Sequence, residues 1–510
     1  MKIKKLFLAI VGLFTALSSI SCDNTQQQKE NKEYTEMNET FYNPLAIEKG
    51  LGDPWLTKHE DYYYFTYSQG TKITVTRSKQ MTQLTENLED ENITKVILRQ
   101  KQILGGNIVQ IWAPEIFFFN GSWYIYFTAA VDEGDTLQLD TSRRTYGMKS
   151  KTTDAFGEWE APVEIKLPCD YRSIDATFLN YKGKQYIVWA GWPNAENKQY
   201  WQDLYITELE TNNPLKAKYP NNPAERHLIS SPEHKWEITS ARQNEGPAVG
   251  YAPDGTPIIF YSGNYSGDDS YCIAYLSLTG DDVTNKDHWY KPQQPLMQTD
   301  MGYSEVIAPG HCSITYSPDG KEHWMMYHSA KRSASGWDRM ARLQKLEWGS
   351  TTYNGKTVTI PVVEKMFKIA EEVPLPSGEK VNRAKYEAEN AVLTEDCYIL
   401  DKEGYASNDK CVSIENGGNI TFNVNIPENG TYVVQVRFSN RDSLETKLKV
   451  TVNGDTTELF APNTQYDDSF SMTSFYTDLY IKREGPNTIQ IEADAAIFID
   501  CIIVDYLDHK

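Results

Sequence analysis

A short phrase recurs five times along this chain: a polar turn, then a strand crowded with aromatic and β-branched residues. The copies are Asp61-Tyr62-Tyr63-Tyr64-Phe65, Gly121-Ser122-Trp123-Tyr124-Ile125-Tyr126-Phe127, Gly183-Lys184-Gln185-Tyr186-Ile187-Val188-Trp189, Gly255-Thr256-Pro257-Ile258-Ile259-Phe260-Tyr261 and Gly320-Lys321-Glu322-His323-Trp324-Met325-Met326-Tyr327. Similarity at a steady period marks a repeat architecture. A unit of this length holds four short strands with their loops, and five such units fall within the blade counts of β-propellers. Turns at Asn120-Gly121, Asp254-Gly255 and Asp319-Gly320 punctuate strand signals across residues 43–368, where long helical periodicity is absent. An ordinary β-sandwich is the competing architecture. Persistence of the period through every copy favours an all-β, five-bladed propeller.

Ahead of each turn stands a polar residue in a distinctive setting: Asp53, Glu115, Asp175, Glu245 and His311. Equivalent positions of a radial repeat face one axis, so these residues are expected to converge. Taken singly, each has a plain reading. Asp53 before Pro54 reads as a turn with an extended bias, Asp175 and Glu245 as loop acids, and His311 as a structural histidine. Taken jointly, gathered carboxylates repel and are costly to bury, which points to chemistry. Hydrolysis of a glycosidic bond needs one protonated carboxylic acid at the leaving oxygen and one ionised carboxylate on the opposite face of the sugar. A third acid beside the first raises its pKa. The compact loop of alternating acids that calcium favours is not visible here.

The segments Asp53-Pro54, Trp112-Ala113-Pro114-Glu115, Ser173-Ile174-Asp175, Asn244-Glu245-Gly246-Pro247 and Pro309-Gly310-His311 resemble, in order, the signatures of glycoside hydrolase family 43 over residues 43–368. The resemblance implies a five-bladed propeller enzyme that hydrolyses with inversion. It casts Asp53 as general base, Glu245 as general acid and Asp175 as the residue that tunes and orients that acid. Inversion implies that Asp53 and Glu245 stand roughly 6.5–9.5 Å apart. The resemblance further implies sugar contacts from Trp112 and Glu115 and an arginine, Arg342, at the site floor. His311 would lie near the axis beside a calcium or other ion. Packing between blades is the alternative for Trp112, and a surface ion pair for Arg342. No cofactor is required for the chemistry itself.

Residues 1–22 read as a lipoprotein-type signal peptide. Lys2, Lys4 and Lys5 precede an apolar run too short to span a bilayer, and Cys22 follows small residues as at a bacterial lipidation site. A plainly secreted chain is the alternative. Residues 23–40, polar throughout, read as a flexible tether. The catalytic domain is expected over 41–373. A formal charge of −20 without a basic patch excludes nucleic acid as a partner and suits an uncharged polysaccharide or oligosaccharide. Six cysteines follow Cys22 without metal-type spacing. Cys169, Cys272 and Cys312 read as small buried side chains, and pairing of Cys397 with Cys411 is left open.

Pro374-Leu375-Pro376-Ser377-Gly378 opens a linker at 374–384, and residues 385–510 carry a second β-rich module with strands near 419–424, 430–438, 447–452 and 488–492. Tyr386-Glu387-Ala388-Glu389, Gly404-Tyr405, Arg437-Phe438-Ser439-Asn440 and Ile499-Asp500 resemble carbohydrate-binding module family 6, a β-sandwich of jelly-roll type. That resemblance implies structural calcium at Glu387, Glu389 and Asp500 and sugar stacking on Tyr405. Phe498 departs from it, standing where many members use Asn. Bracing of the propeller is the alternative role. The functional expectation is an exported, membrane-anchored inverting exo-glycosidase, periplasmic or at the cell surface, that removes terminal α-L-arabinofuranose. A β-xylosidase, a galactan-active enzyme and a non-catalytic glycan-binding lipoprotein are the alternatives.

Overall fold

A computed structural model describes residues 35–507, apart from 37–38, 46–49, 85–87, 89–90, 101–107, 133–135, 198–199, 370, 404–405, 416, 442–444, 465–469 and 483. The chain is almost entirely β. Among the described residues the only α-helix is Thr136–Thr141, and no helix is long and apolar enough to cross a membrane.

Each aromatic phrase forms the second strand of an antiparallel sheet. In chain order these strands are Tyr62–Thr66, Ser122–Val131, Lys184–Gly191, Pro257–Gly263 and His323–Ala330. Their hairpin partners, the first strands, are Trp55–His59, Ile108–Phe119, Ser173–Tyr181, Asn244–Tyr251 and Ile307–Tyr316. The polar turn before each phrase is the hairpin. Asn120 and Gly121 both take positive φ, 46° and 77°, as a two-residue turn matched to strand twist requires. Two more strands follow outward in sequence, giving five sheets in simple order, the third with an added strand, His227–Ser230. The first strand of each sheet lies against the first strand of the next, and the fifth returns to the first.

Second strands are largely covered by neighbouring sheets, which accounts for their predominantly apolar character. Pro257–Gly263 and His323–Ala330 are buried at every position. Trp123, Trp189 and Trp324 are fully enclosed, and each such side chain contributes about 1.5–3 kcal/mol of burial free energy.

Residues ahead of the first sheet close the ring. Thr40–Tyr42 pairs with Glu372–Pro374. The Asn43 amide donates to the Leu343 carbonyl at 2.8 Å and its oxygen accepts the Leu343 N–H at 3.0 Å. Thr35–Glu36, expected within the tether, instead pairs with Arg383–Glu387.

The C-terminal residues form two sheets. One runs Val392–Leu393, Asn419–Val424, Asn487–Ala493, Thr446–Val452, Asp455–Ala461. The other is organised on Ile497–Tyr506, which pairs with Arg383–Glu387, Lys410–Ile414 and Gly430–Ser439. Strict alternation of buried positions along Asn419–Val424 and Asn487–Ala493 sends one face inward. There Ile420, Phe422, Ile489 and Ile491 share a core with Val434, Val436 and Phe438. All six cysteines beyond Cys22 are free thiols, Cys397 and Cys411 among them.

The linker is packed onto both units. Glu379 accepts the Met81 and Thr82 N–H groups at 3.1 and 3.0 Å. Arg383 pairs with Asp505 at 2.7 Å, both side chains being 5% exposed, and donates to the Thr40 carbonyl at 2.9 Å. Gln83 donates to Asp505 at 2.7 Å. Removing one partner of a buried ion pair strands the other charge. Asp505→Ala should therefore lower unfolding stability by about 3–5 kcal/mol, read as a shift in denaturant midpoint.

Candidate active site

Four of the five first strands break regular pleating at their motifs, and in the first sheet Asp53 lies just ahead of a regular strand. Asp53, Ala113, Asp175, Gly246 and His311 take positive φ, between 34° and 55°. The register shifts at Trp112/Glu115, Ile174/Thr177, Glu245/Ala248 and Gly310/Cys312. Bulges of this kind re-aim side chains, and a non-glycine residue in this conformation costs about 1–2 kcal/mol. The signature segments are thus the places where the repeat departs from an ordinary strand. Glycine is required where crowding is greatest. A Cβ on Gly310 would come within 1.9 Å of the Tyr271 ring, and one on Gly246 within 3.0 Å of His311 Nδ1.

Asp53 is held by four groups. Ser68 Oγ donates to Oδ2 at 2.6 Å, and Arg339 Nη1 reaches Oδ1 at 3.0 Å. His311 Nδ1 lies 3.4 Å and His328 Nδ1 3.6 Å from Oδ1. Burial alone would raise this carboxyl, but His311, Arg339, His328 and Ser68 outweigh it and hold the group well below the usual carboxylate range. Burial also depresses both imidazoles. His328 Nδ1 accepts the Asp53 backbone N–H at 3.1 Å, which puts its ring proton on Nε2.

The other two acids behave oppositely. Glu245 accepts from Tyr271 Oη at 3.0 Å and from Gln202 Nε2 at 2.7 Å. Burial and then the charge of Asp175 push its pKa up. Asp175 is raised to about 7 by burial and then by Asp53. Its Oδ2 accepts the Gly246 N–H at 3.2 Å, linking it to the residue beside Glu245. Burial dominates at Glu115, whose carboxyl is raised well above the ordinary value. Neither Glu115 oxygen has a hydrogen-bond partner, and the Thr177 hydroxyl approaches without reaching bonding geometry. Glu115 is 1% exposed.

The structure therefore brings together Asp53, Asp175, Glu245 and His311. Trp112 stands half-buried with the Arg143 guanidinium 3.3 Å from its ring centre. Arg342 does not join the acids. It is fully buried and donates to Ser329 Oγ at 2.8 Å. Arg339 takes the place expected of it. Strand residues three apart face opposite sides, so the strand that sends Arg339 to Asp53 turns Arg342 away. Tyr271, His328, Ser68 and Gln202 went unread in the sequence because they lie outside the signature segments. Tyr271 closes the polar stretch before the third strand of its sheet, and His328 directly follows the fifth aromatic phrase.

Two cation sites were expected. At the axis His311 has Asp53 beside it, but among the described residues no third acid, thiol or imidazole completes a three-ligand group there. The side chains present do not make a cation cage, and no chemical step is assigned to one. In the C-terminal module Glu387 and Asp500 meet, but the third group within ligand reach is the Cys501 thiol and not Glu389, which is linked to them through Asn408. Ser407 Oγ donates to Glu387 at 2.6 Å and to Asp500 at 3.0 Å, and Asn408 donates to Glu387 at 3.1 Å and to Glu389 at 3.5 Å. Lys385 and Arg437 each neutralise one member, Glu387 and Asp500. Glu389 keeps a buried oxygen without a partner, and burial raises its carboxyl. The carboxylate oxygens of Glu387 and Asp500 are of the kind a hard cation such as calcium takes, with Glu389 one hydrogen-bonded residue away. Cys22 and Tyr405 lie outside the described residues.

The model of the glycosyl hydrolases family 43 matches residues 41–352. The chain is 32% identical over 322 residues to an extracellular exo-alpha-(1->5)-L-arabinofuranosidase of Streptomyces avermitilis, covering 61% of this chain and 62% of that protein. It thus spans less than two thirds of that relative's length. An alpha-L-arabinofuranosidase structure from Lactobacillus brevis superposes with a TM-score of 0.53 at 28% identity, over 61% of this chain and 94% of that one. An exo-beta-1,3-galactanase structure from Phanerochaete chrysosporium, 15% identical, gives a TM-score of 0.50 over 92% of this chain and 100% of its own, a likeness of fold alone. With the family model matched over residues 41–352, across most of the ring, this chain belongs to glycosyl hydrolases family 43.

Proposed function

We propose that this chain is an inverting exo-acting α-L-arabinofuranosidase, exported and lipid-anchored, acting on a plant-type polysaccharide or oligosaccharide. The ring of sheets is read as a five-bladed propeller and residues 385–510 as a jelly-roll module of the carbohydrate-binding family 6 type, placed against it by the linker. The observation that carries the reading is the electrostatic split among Asp53, Asp175 and Glu245. The similarity to exo-acting arabinofuranosidases supports the choice of sugar.

In this mechanism Asp53, ionised through Arg339 and Ser68, takes a proton from water as the water oxygen bonds to the anomeric carbon. Glu245, kept protonated by burial and by Asp175, gives its proton to the leaving oxygen as the glycosidic bond breaks. Attack and departure on opposite faces invert the anomeric centre. Tyr271 and Gln202 orient the Glu245 carboxyl, and His328 fixes the Asp53 backbone. Asp53→Asn and Glu245→Gln should each lower kcat on an aryl α-L-arabinofuranoside by about 100- to 10,000-fold. Proton NMR of the wild-type reaction should give the inverted anomer first. Unchanged activity in both variants, or a retained anomer, would sink the assignment.

The pH dependence has a definite sign. Glu245 must carry a proton, so kcat/KM falls as pH rises through its raised pKa. Asp53 must lack one, so the acid limb lies well below the ordinary carboxylate range. Asp175 and Glu245 titrate as a pair. Asp175→Asn removes a like charge and should move the basic limb to lower pH. An unmoved limb would show that Asp175 does not tune Glu245.

Calcium is proposed at Glu387, Glu389 and Asp500 as a brace of the module, with no part in the reaction. Adding calcium to chelator-treated protein should raise its melting temperature, and Glu389→Gln should abolish that rise while leaving hydrolysis intact.

A further inference from the structure

The acids sit deep. Asp175, Glu245 and His311 are between 3% and 8% exposed, and Glu115 is 1% exposed. Whatever remains attached to the cleaved sugar must therefore leave through the mouth. Two residues before Arg339, the partner of Asp53, stands Trp337, 62% exposed, the most exposed large hydrophobic side chain among the described residues. A tryptophan so exposed forgoes the burial free energy that usually places it inside.

Trp337 is held in place and belongs to the same bonded chain as the acids. Its indole N–H donates to Ser266 Oγ at 3.3 Å. Two residues on, at the start of the strand, Arg339 donates to the Ser266 carbonyl at 2.9 Å and to Asp53 at 3.0 Å. Tyr265, 40% exposed, meets the Trp337 ring edge-on at 5.9 Å. The segment carrying Tyr265 and Ser266 ends at Tyr271, the donor to Glu245. The Trp337 loop is tied down as well: Asp269 accepts from the Ser333 hydroxyl and from the Ala334 N–H at 3.0 Å. One indole face is thus presented to solvent on a loop fixed at both ends, between groups that hold the base and the acid.

We infer that Trp337, steadied by Tyr265, is the stacking platform for the sugar residue beyond the cleaved bond, and that it makes the enzyme select oligosaccharide over small glycosides. Indole faces stack on the C–H faces of pyranose and furanose rings, and a pre-ordered platform lowers the entropy cost of binding. The platform contributes to substrate affinity, not to proton transfer, so its loss appears in KM and leaves kcat largely unchanged. This inference rests on the proposed exo-hydrolysis for its choice of substrate.

The test compares two substrates, methyl α-L-arabinofuranoside and α-1,5-linked arabinotriose, in the wild type, Trp337→Ala and Trp337→Phe. Trp337→Ala should raise KM for the triose by about tenfold and leave kcat/KM for the methyl glycoside unchanged, while Trp337→Phe should recover most of the loss. An equal loss on both substrates would make Trp337 merely structural, and no loss on the triose would overturn the platform. If the wild type hydrolyses only the xylose or galactose series, the arabinofuranosidase reading fails. The same comparison in that series then decides the platform separately. Hydrolysis of none of the three series removes both readings.

Discussion

Everything at the axis depends on where a few backbone N–H groups go. A bulged strand turns an N–H out of its own ladder, and a buried N–H without an acceptor is costly. Here the acceptor comes from the preceding sheet. Ser68 accepts from Ala113 at 2.7 Å, Thr128 from Asp175 at 3.0 Å, Ser262 from His311 at 2.8 Å, and His328 from Asp53 at 3.1 Å. Between the third and fourth sheets the acceptor is the carboxylate of Asp175, which takes the Gly246 N–H at 3.2 Å. Each sheet thereby fixes the left-handed residue of the next, and the last fixes that of the first. The left-handed residues that aim the acids persist because the ring over-determines them.

Within that ring, like residues are made unlike. Asp53 and Asp175 share a φ of 53° and a similar place in their sheets, yet one is depressed and the other raised. The difference is in the company each keeps. Arg339 and two imidazoles surround Asp53, whereas Asp175 faces burial and the charge of Asp53. The repeat positions the acids, and the side chains that break the repeat divide the labour between proton acceptor and proton donor. Tyr271 shows how closely the two are coupled. It donates to Glu245, and its ring lies 5.9 Å from that of His328, nearly parallel at 8°. Gly310 leaves room for that ring, which gives a physical meaning to the glycine in Pro309-Gly310-His311.

Much of this was legible in the residues. Repeated aromatic phrases became second strands because a strand largely covered by its neighbours must be predominantly apolar, and the turn glycines fell where positive φ is needed. Asn419–Val424 appears with the ends expected from alternation alone. The convergence of Asp53, Asp175 and Glu245 followed from their shared place in the period. What stayed hidden depends on contacts between segments far apart in the chain. Parity along one strand decides between Arg339 and Arg342, and that depends on where the bulges fall. The acceptors Ser68, Thr128 and Ser262 are common residues in unremarkable settings, and only the neighbouring bulge gives them a role. The seam is likewise invisible locally, since nothing in Thr35–Glu36 says that its partner lies near residue 384.

That seam bears on how the chain acquires its shape. Tyr42 donates to Glu372 at 2.9 Å across 330 positions, and the Asn43 amide meets Leu343 across 300. Strand pairing over such separations must wait for the intervening chain, and long-range pairing of this kind is slow to form. Residues 35–43 emerge early in synthesis, yet their partners are among the later residues made. Until those partners arrive, the first and fifth sheets lack the strands that join them, and the apolar edges they will cover stay open to other chains. Closure of the ring is thus a late event in folding, and the aromatic second strands that stabilise the finished protein are its chief aggregation hazard beforehand.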